Sequence, residues 1–462
     1  MTVQKLFLFI GIAAAILTLL RVLLKANRSV LITFLQNFVG SLFIFSGFVK
    51  AIDPMGTSYK MHEYFEAMHI EFFNPISTPL TVLMLVAELA LGVALLIGWM
   101  PRLTTILMLL LNVFFLLLTG YTYLSGFSPT VSFFAFAVLT FSMISMGVIV
   151  EKKSARRAFL ISGVLLLAIL LLSIKYSTLF FTSGFEITKM KVTDCGCFGD
   201  FMKLKPWQTF YKDVLLTVMI FIVALYHQKI QPVFSNMIRH TLAIGTAIAT
   251  LFFCLYNFVW NEPIIDFRPY AIGNDLNEMR REIKPEKKDY VFVYKNKKTG
   301  EEKEFKTAEL TAITEDWEYK DRKDIVVEEG IPARISNLYI FNDNKEDITD
   351  SLLHRPNYSL AVVAWKLSNT HDCCFKNHLV QIADDAKRNG VEFYGLSSEN
   401  ADAFKKKNQL DFPFYIADET PLKTIMRSNP GLVLLKNGVV INKWHHKHLP
   451  KFEDLKKQYP GL

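Results

Sequence analysis

Long apolar runs fill roughly the first 260 positions of this chain, whereas lysine and glutamate are frequent in the remainder. A run of about 20 apolar residues is long enough to cross the bilayer core as a helix. No small-residue cleavage site follows Leu24, so we expect the first run to be a retained helix rather than a signal peptide. The pattern predicts eight helices, with approximate limits 3–24, 30–50, 78–99, 102–123, 130–150, 157–175, 209–227 and 238–260.

Composition supports a polytopic membrane domain at 1–260 whose first partner is the lipid bilayer. Hydrophobic residues make up 51% of the 462 residues, and the mean hydropathy is +0.26. The formal charge of +8 comes from short loops and a lysine-rich carboxy-terminal half. It forms no nucleic-acid patch, so we predict no nucleic-acid partner.

Lysine and arginine concentrate in alternate connections between the predicted helices. Cytoplasmic loops carry such an excess, which places the odd-numbered connections in the cytoplasm. The amino terminus, the loop before the seventh helix and everything after residue 260 are then predicted to lie outside. The residues that carry this assignment are Arg21, Lys25, Arg28, Arg102, Lys152, Lys153, Arg156, Arg157, Lys229 and Arg239.

Two of the five cysteines, Cys195 and Cys197, are one residue apart in an outside loop. A Cys-Gly-Cys pair can close a small, strained disulfide, and strained disulfides are the exchanging kind. The predicted side is the one on which disulfides persist. A structural staple, or two reduced cysteines that are near each other by chance, are the alternatives.

Charged residues also occur within the predicted helices. Lys50 and Asp53 are three positions apart at a membrane boundary, where they can pair. Glu88 falls in the middle of a helix, and an intramembrane carboxylate is expensive enough to suggest function. A packing carboxylate bonded to a neighbouring helix is the alternative for Glu88. Small residues of the second helix allow a neighbouring helix to approach closely, namely Gly40, Ser41, Ser46 and Gly47.

Over roughly residues 30–227 the chain resembles the DoxX/MauE group of membrane proteins, in its Bacteroidetes version. The most specific part of the resemblance is Cys-Gly-Cys-Phe-Gly-Asp, which ends at Asp200. The other segments that carry it are Phe-Ser-Gly-Phe-Val-Lys-Ala-Ile-Asp-Pro at 45–54, Tyr64-Phe65, the Glu88 helix, Leu-Thr-Gly-Tyr-Thr-Tyr at 118–123, Lys205-Pro206-Trp207 and Lys212-Asp213.

The resemblance implies a DoxX-like four-helix core in a bacterial cytoplasmic (inner) membrane, with the carboxy-terminal half in the periplasm. MauE-type members are linked to methylamine utilisation, where they are thought to support disulfide formation in a periplasmic dehydrogenase. DoxX relatives are associated with quinone-linked sulfur chemistry, which makes a quinone a candidate acceptor. The implied site is Cys195 and Cys197, with Lys50, Asp53, Glu88 and Asp200 in support. One departure is that two predicted helices at about 130–175 precede the cysteine motif; two crossings preserve its sidedness.

Residues 261–334 give short strand signals and no catalytic motif, so we predict a β-rich linker region. The clearest strand is Tyr290–Tyr294, with a turn at 298–300 before Glu304 and Phe305.

Residues 335–462 alternate strands and helices and end with a hairpin turned at Asn437-Gly438 and a last helix, which is the thioredoxin order. Asn429-Pro430 resembles the cis-proline loop of such proteins, whose active site faces it. We therefore predict an α/β thioredoxin-like domain, with strands at 358–367, 391–396 and 412–416 and helices at 373–388, 401–408, 421–427 and from 451.

Cys373 and Cys374 occupy the place of the usual Cys-x-x-Cys at the start of the first helix of that fold. A helix amino terminus favours the thiolate, and adjacent cysteines bond only through a strained, oxidising ring. Alternatively, one of them exchanges with Cys195 or Cys197, or the domain is a degenerate scaffold. Cys254, within the last membrane helix, is predicted to be an inert packing residue. No metal is predicted, because the spacing of His371, His445, His446 and His448 matches no established site.

Two functions follow from these features. The first is a thiol–disulfide oxidoreductase anchored in the membrane, which relays electrons between the thiols or disulfides of extracytoplasmic proteins, Cys373/Cys374 and Cys195/Cys197. The second is a non-catalytic scaffold or assembly factor whose thioredoxin-like domain binds a partner. Metal handling is a third, weaker alternative.

Overall fold

A computed structural model describes residues 2–24, 29–126, 192, 196–285, 287–314, 316–328, 330–331, 333–370 and 375–462. The chain divides into two compact units, Met1–Phe267 and Arg268–Leu462. The first unit consists of helices and the second contains all the described strands. Each unit is described by itself.

Seven α-helices are described in the first unit. They are α1 (Val3–Leu23), α2 (Val30–Ile52), α3 (Pro54–Ala67), α4 (Ser77–Ile97), α5 (Pro101–Leu124), α6 (Pro206–Leu225) and α7 (Asn236–Leu255). All except α3 are long and apolar enough to cross a membrane, and these six agree with predicted spans to within a few residues. The predicted spans 130–150 and 157–175 lie outside the described residues, so the prediction of eight spans stays a prediction.

The helix α3 lies in the charged connection between α2 and α4, where the sequence pattern predicted no helix. Asp53 initiates it, since its Oδ1 accepts a hydrogen bond of 2.9 Å from the Gly56 amide, and Pro54 at the first helical position has the fixed φ a helix needs. Its buried residues Met61, Tyr64 and Phe65 pack with Met84 of α4. The connection is therefore part of the bundle.

Glycines bring α2 and α4 together. A Cβ on Gly40 would lie 3.1 Å from the Gly92 carbonyl oxygen, and one on Gly92 would lie 3.0 Å from the Gly40 oxygen. About two turns further along α2, a Cβ on Gly47 would lie 3.3 Å from Glu88 Cγ. The predicted close approach at Gly40 and Gly47 is confirmed, and it places the Glu88 carboxylate against α2.

Apolar residues of α1, α2, α4, α5 and α6 form the main core of this unit. The outer helices α1 and α7 bury only 22% of their most apolar windows. Their exposed apolar faces are compatible with contact to lipid.

The first sheet of the second unit has three antiparallel strands in the order β2-β1-β3. Its strands are β1 (Lys287–Asn296), β2 (Glu302–Lys306) and β3 (Trp317–Glu328). Gly300, with φ +74°, makes the turn between β1 and β2. The predicted strand at 290–294 and the turn at 298–300 are confirmed, whereas β3 was not predicted.

A six-stranded sheet follows in the order β4-β7-β6-β5-β8-β9. β5, β6 and β7 are parallel, and β8 runs antiparallel to β5 and β9. Its strands are β4 (Ile340–Phe341), β5 (Tyr358–Val363), β6 (Glu392–Ser397), β7 (Phe414–Ala417), β8 (Gly431–Lys436) and β9 (Val439–His445). The helices of this unit are α8 (Leu276–Met279), α9 (Thr349–Leu353), α10 (Val380–Arg388), α11 (Asp402–Asn408), α12 (Glu419–Ile425) and α13 (Phe452–Gln458).

Alternate residues of the central strand β5 face two cores. Leu360 and Val362 contribute to the core that contains Ile382 of α10. Ala361 and Val363 contribute to the core on the opposite face, with residues of α9 and α12. Helices thus cover both faces, as continuous apolar parallel strands require, and the predicted order of elements is observed.

The segment before the three-stranded sheet packs on the edge strand β9. The Gly273 amide donates to the Val440 carbonyl oxygen over 2.7 Å, and the Val440 amide donates to the Asn274 oxygen over 3.0 Å. Tyr270 and Leu276 enter the core beside them. The start of the predicted linker region therefore belongs structurally to the six-stranded sheet.

Candidate functional site

A small cavity in the first unit collects its buried charges. It lies among α2, α3, α4, α5, α6 and the turn at 196–201, and its volume is about 50 Å³. One water needs roughly 10–15 Å³ on this measure, so the cavity has room for a few. Its polar and thiol-bearing lining residues are Ser46, Lys50, Thr57, Lys60, Tyr64, Glu88, Asn112, Thr119, Cys197, Lys212 and Asp213.

Lys50 and Glu88 form an ion pair inside the bundle. The Lys50 Nζ lies 2.5 Å from Glu88 Oε2, and the two side chains are only 5% and 4% exposed. The same Nζ lies 4.7 Å from the centre of the Phe115 ring. Sequence spacing suggested Asp53 as the partner of Lys50; instead the ammonium contacts Glu88, and Asp53 caps α3.

A second ion pair, between Lys212 and Asp213 of α6, lines the same cavity. Lys212 Nζ lies 2.7 Å from Asp213 Oδ1. Thr119 Oγ1 of α5 donates a 3.1 Å hydrogen bond to the other oxygen, Oδ2. Asn112 Nδ2 donates to the Asp213 carbonyl oxygen and to Thr217 Oγ1, at 3.1 and 2.8 Å. Sequence reasoning did not name this pair as a site, because both residues stand near the start of α6. The signal that could have found it is the resemblance, which includes Lys212-Asp213.

The turn Gly196–Phe201 closes one side of the cavity and places Cys197 against it. Ser46 Oγ of α2 donates a 3.0 Å hydrogen bond to the Cys197 carbonyl oxygen. The neighbouring Phe198 is fully buried, and its ring centre lies 5.5 Å from Lys212 Nζ. Asp200 lies half-buried in the same turn. The predicted residues Lys50, Glu88 and Cys197 are thus brought together around one cavity.

The other predicted cysteines divide into two cases. Cys195, Cys373 and Cys374 lie outside the described residues, as does His371. Cys254 is fully buried in α7, in a cluster with Ala51 and Leu85, and the prediction that it packs there agrees with this position.

In the second unit, the peptide bond between Asn429 and Pro430 is cis. Gly431, the next residue, pairs with Val363 at the end of β5, so Pro430 lies at the sheet end from which the chain leads toward the predicted dithiol. Among the residues that the structure describes, no three histidines, cysteines or carboxylates are grouped so as to hold a metal ion.

The chemistry available at the cavity is electrostatic. Lys50 and Lys212 are each paired with a carboxylate of the lining, and a third ammonium, that of Lys60, pairs with Glu63 outside the lining. Lys212 lines the cavity together with Cys197, Glu88 and Asp213. A negative charge that develops at the turn would therefore have a cation beside it.

Comparisons with known proteins cover parts of the chain. Residues 28–130 match the family described as Methylamine utilisation protein MauE, and residues 288–329 match a domain of unknown function, DUF8463. No curated protein matches the chain, and no solved structure does. The MauE match contains Lys50, Glu88 and Thr119, and it ends before Cys197. The chain is a multi-pass membrane protein with a MauE-like segment.

Proposed function

We propose that this protein is a membrane-anchored thiol–disulfide relay that oxidises partner proteins on the outer side of a bacterial inner membrane. The position of Cys197 carries the proposal: it lines a buried cavity together with Lys50, Glu88, Lys212 and Asp213. Ser46 holds the main chain of the turn in place. A structural staple has no need of buried charges, whereas exchange requires a thiolate.

The relay consists of two exchanges of the same kind. A thiolate of a partner attacks the Cys373–Cys374 disulfide, and the second partner thiol resolves the mixed disulfide. The Cys373/Cys374 dithiol then reduces the Cys195–Cys197 disulfide in the same way. Each exchange breaks one S–S bond, forms another, and moves two electrons and two protons.

The second unit supports its part of the relay through the order of its sheet. A thioredoxin-like dithiol follows a central parallel strand and faces a proline that precedes an antiparallel strand. Here β5 is central, the Cys373-Cys374 segment follows it, and Pro430 precedes β8, which pairs with β5. Cys373, nearer the start of the helix predicted at 373–388, is our candidate for the attacking thiol, with Cys374 as the resolving thiol.

The relay needs a final electron acceptor, and we propose a quinone, which takes up two electrons and two protons. The cavity beside Cys197 does not fit that role, because its 50 Å³ is the space of a few waters. We therefore assign no quinone to this cavity.

The MauE match favours a partner in methylamine utilisation. In that proposal the protein oxidises thiols of a periplasmic dehydrogenase as it matures. The basic connections support the sidedness that this requires, because they leave the cysteine turn and the second unit outside.

Thiol trapping in growing cells tests the relay. Removing one thiol of a pair leaves its neighbour unable to resolve a mixed disulfide. We expect Cys195→Ser and Cys374→Ser to accumulate a covalent species, internal or with a partner, that migrates slowly on a non-reducing gel and disappears with reductant.

Cys254→Ser is the matched control and should trap nothing, since Cys254 is buried in α7. If neither variant traps a species and all four relay thiols stay reduced, the relay is wrong. The scaffold function then replaces it, with the Lys50–Glu88 pair serving only to pack α2 against α4.

A further inference from the structure

We propose that Lys212 stabilises the thiolate of Cys197 and so makes Cys197 the leaving thiol when the Cys195–Cys197 disulfide is attacked, with Asp213 and Thr119 as positioning residues. The biological use of this arrangement rests on the relay proposed above. The local chemistry does not, and it can be measured without turnover.

The Lys212 side chain lines the cavity and is buried there. Only 8% of it is exposed, and the Asp213 side chain is 1% exposed. A buried ammonium is stable only beside a negative group, and Asp213 supplies one at 2.7 Å. Because Thr119 on α5 holds the second oxygen of Asp213, the ion pair is fixed from a neighbouring helix.

The ammonium also reaches the cysteine turn. Its Nζ lies 5.5 Å from the ring centre of Phe198, the residue after Cys197. Lys212 and Cys197 line the same cavity. An adjacent cation is one of the environments that make a cysteine a thiolate near neutral pH.

Two other ammonium groups line the cavity, and each is paired with a carboxylate as Lys212 is. Lys212 differs from them in lying against the ring of Phe198 in the turn. Glu88 holds the Lys50 ammonium at 2.5 Å. Lys60 is bound to Glu63 at 2.8 Å and is 27% exposed, so water screens its charge. The titratable groups that face the turn from each packed element are Lys50 of α2, Lys60 and Tyr64 of α3, Glu88 of α4, and Lys212 and Asp213 of α6, with Asp200 in the turn itself.

Lys60 is the matched control for Lys212. Its Cγ lies 3.1 Å from where a Cβ on Gly196 would be, so it touches the same turn. It differs in being partly exposed. If nearness of any lysine were enough, the two would have equal effects on Cys197.

The experiment uses the full chain in detergent, with Cys195, Cys254, Cys373 and Cys374 replaced by serine so that Cys197 is the sole thiol. The rate of alkylation by iodoacetamide is measured as a function of pH. We expect Lys212→Met to raise the midpoint of that profile by about one to two pH units, which lowers the rate at pH 7 by roughly tenfold or more. Lys212→Arg should keep the midpoint, Thr119→Val should raise it by about half a unit or less, and Lys60→Met should leave it unchanged.

The variant Lys212→Met/Asp213→Leu guards against a folding defect, because it removes the whole ion pair and leaves no unpaired buried charge. It should show a raised midpoint as well, though by less than Lys212→Met, in which the Asp213 carboxylate stays unpaired, and it should elute normally on gel filtration. Unchanged midpoints in Lys212→Met and in Lys212→Met/Asp213→Leu would overturn the proposal. So would a shift in Lys60→Met alone. A Lys212-dependent midpoint without any trapped species in cells would instead sink the relay and leave this proposal standing.

Discussion

The carboxylate of Glu88 and the ammonium of Lys50 neutralise each other inside the helical unit. Removing one partner of a buried pair leaves an uncompensated charge, whereas replacing both by apolar groups is often neutral. The pair therefore allows a test that separates packing from function at the level of two residues.

We expect Glu88→Gln to impair function and to destabilise the unit by about 3–5 kcal/mol, because Lys50 is left buried without an opposite charge. The double variant Lys50→Met/Glu88→Gln should recover most of the thermal stability in detergent. If Glu88 takes part in the chemistry, thiol cycling in cells stays defective in the double variant.

Recovery of both stability and cycling would return Glu88 to a packing role. The matched control is the half-exposed pair of Lys60 and Glu63: Glu63→Gln should cost less than about 1 kcal/mol, the usual range for exposed ion pairs.

At the residue scale, sequence alone could identify which positions are unusual but not which of them meet. Glu88 was predicted because a charge in the middle of an apolar helix is expensive. Lys212 and Asp213 stand nearer the start of α6, where charge is ordinary, so they were not predicted as a site. The partner of Lys50 was expected three positions away and lies 38 positions away, since helical spacing carries no information about neighbouring helices.

At the scale of elements, the contact between α2 and α4 depends on two glycines that face each other. A Cβ on Gly92 would lie 2.9 Å from Ile44 Cγ1 and 3.0 Å from the Gly40 carbonyl oxygen. Backbone atoms cannot give way as a flexible side chain can, so the helices would have to separate.

Gly92→Ala should therefore destabilise the helical unit by about 1–3 kcal/mol, the usual range for overpacking, as measured by thermal unfolding in detergent. Gly245→Ala on α7 is the control, because nothing lies within 4 Å of the added Cβ. It should be neutral or stabilising by up to about 1 kcal/mol from helix propensity. Equal destabilisation in both variants would contradict a role for the Gly40–Gly92 contact.

Elements with strong periodicity were predictable and those without it were not. The six described spans and the strands β5 to β9 agree with the sequence pattern. The helix α3 was not predicted because its buried residues are spread among charged ones. The segment was therefore taken as a loop between two spans. β3 was missed because its alternating charges resemble a solvated segment, and only pairing with β1 makes it a strand.

At the scale of the whole molecule, the sequence predicts on which side of the membrane the termini and the cysteine turn lie. The basic connections predict that both termini and the cysteine turn lie outside the cytoplasm. Termini on the same side require an even number of membrane crossings. The six described spans are even in number, and the two predicted spans at 130–150 and 157–175 keep the number even.

Single cysteines introduced into a cysteine-free background test this arrangement. We expect a membrane-impermeant maleimide to label positions 126 and 462 in cells with a permeable outer layer. Position 154, in the predicted fifth connection, should react only after the inner membrane is opened. Labelling of position 154 in intact cells would overturn the assignment.

The strand β9 has one more consequence for the molecule as a whole. It is the outer strand of its sheet, and an open strand edge is a template on which other chains pair and aggregate. The residues around Gly273 and Asn274 occupy the first part of that edge through hydrogen bonds to Val440, while Tyr270 covers apolar surface beside it. Cutting the chain at residue 335, where the thioredoxin-like pattern begins, would expose the edge of β9 and the apolar surface beside it. We therefore expect a fragment that begins at residue 335 to aggregate more readily than one that begins at residue 268.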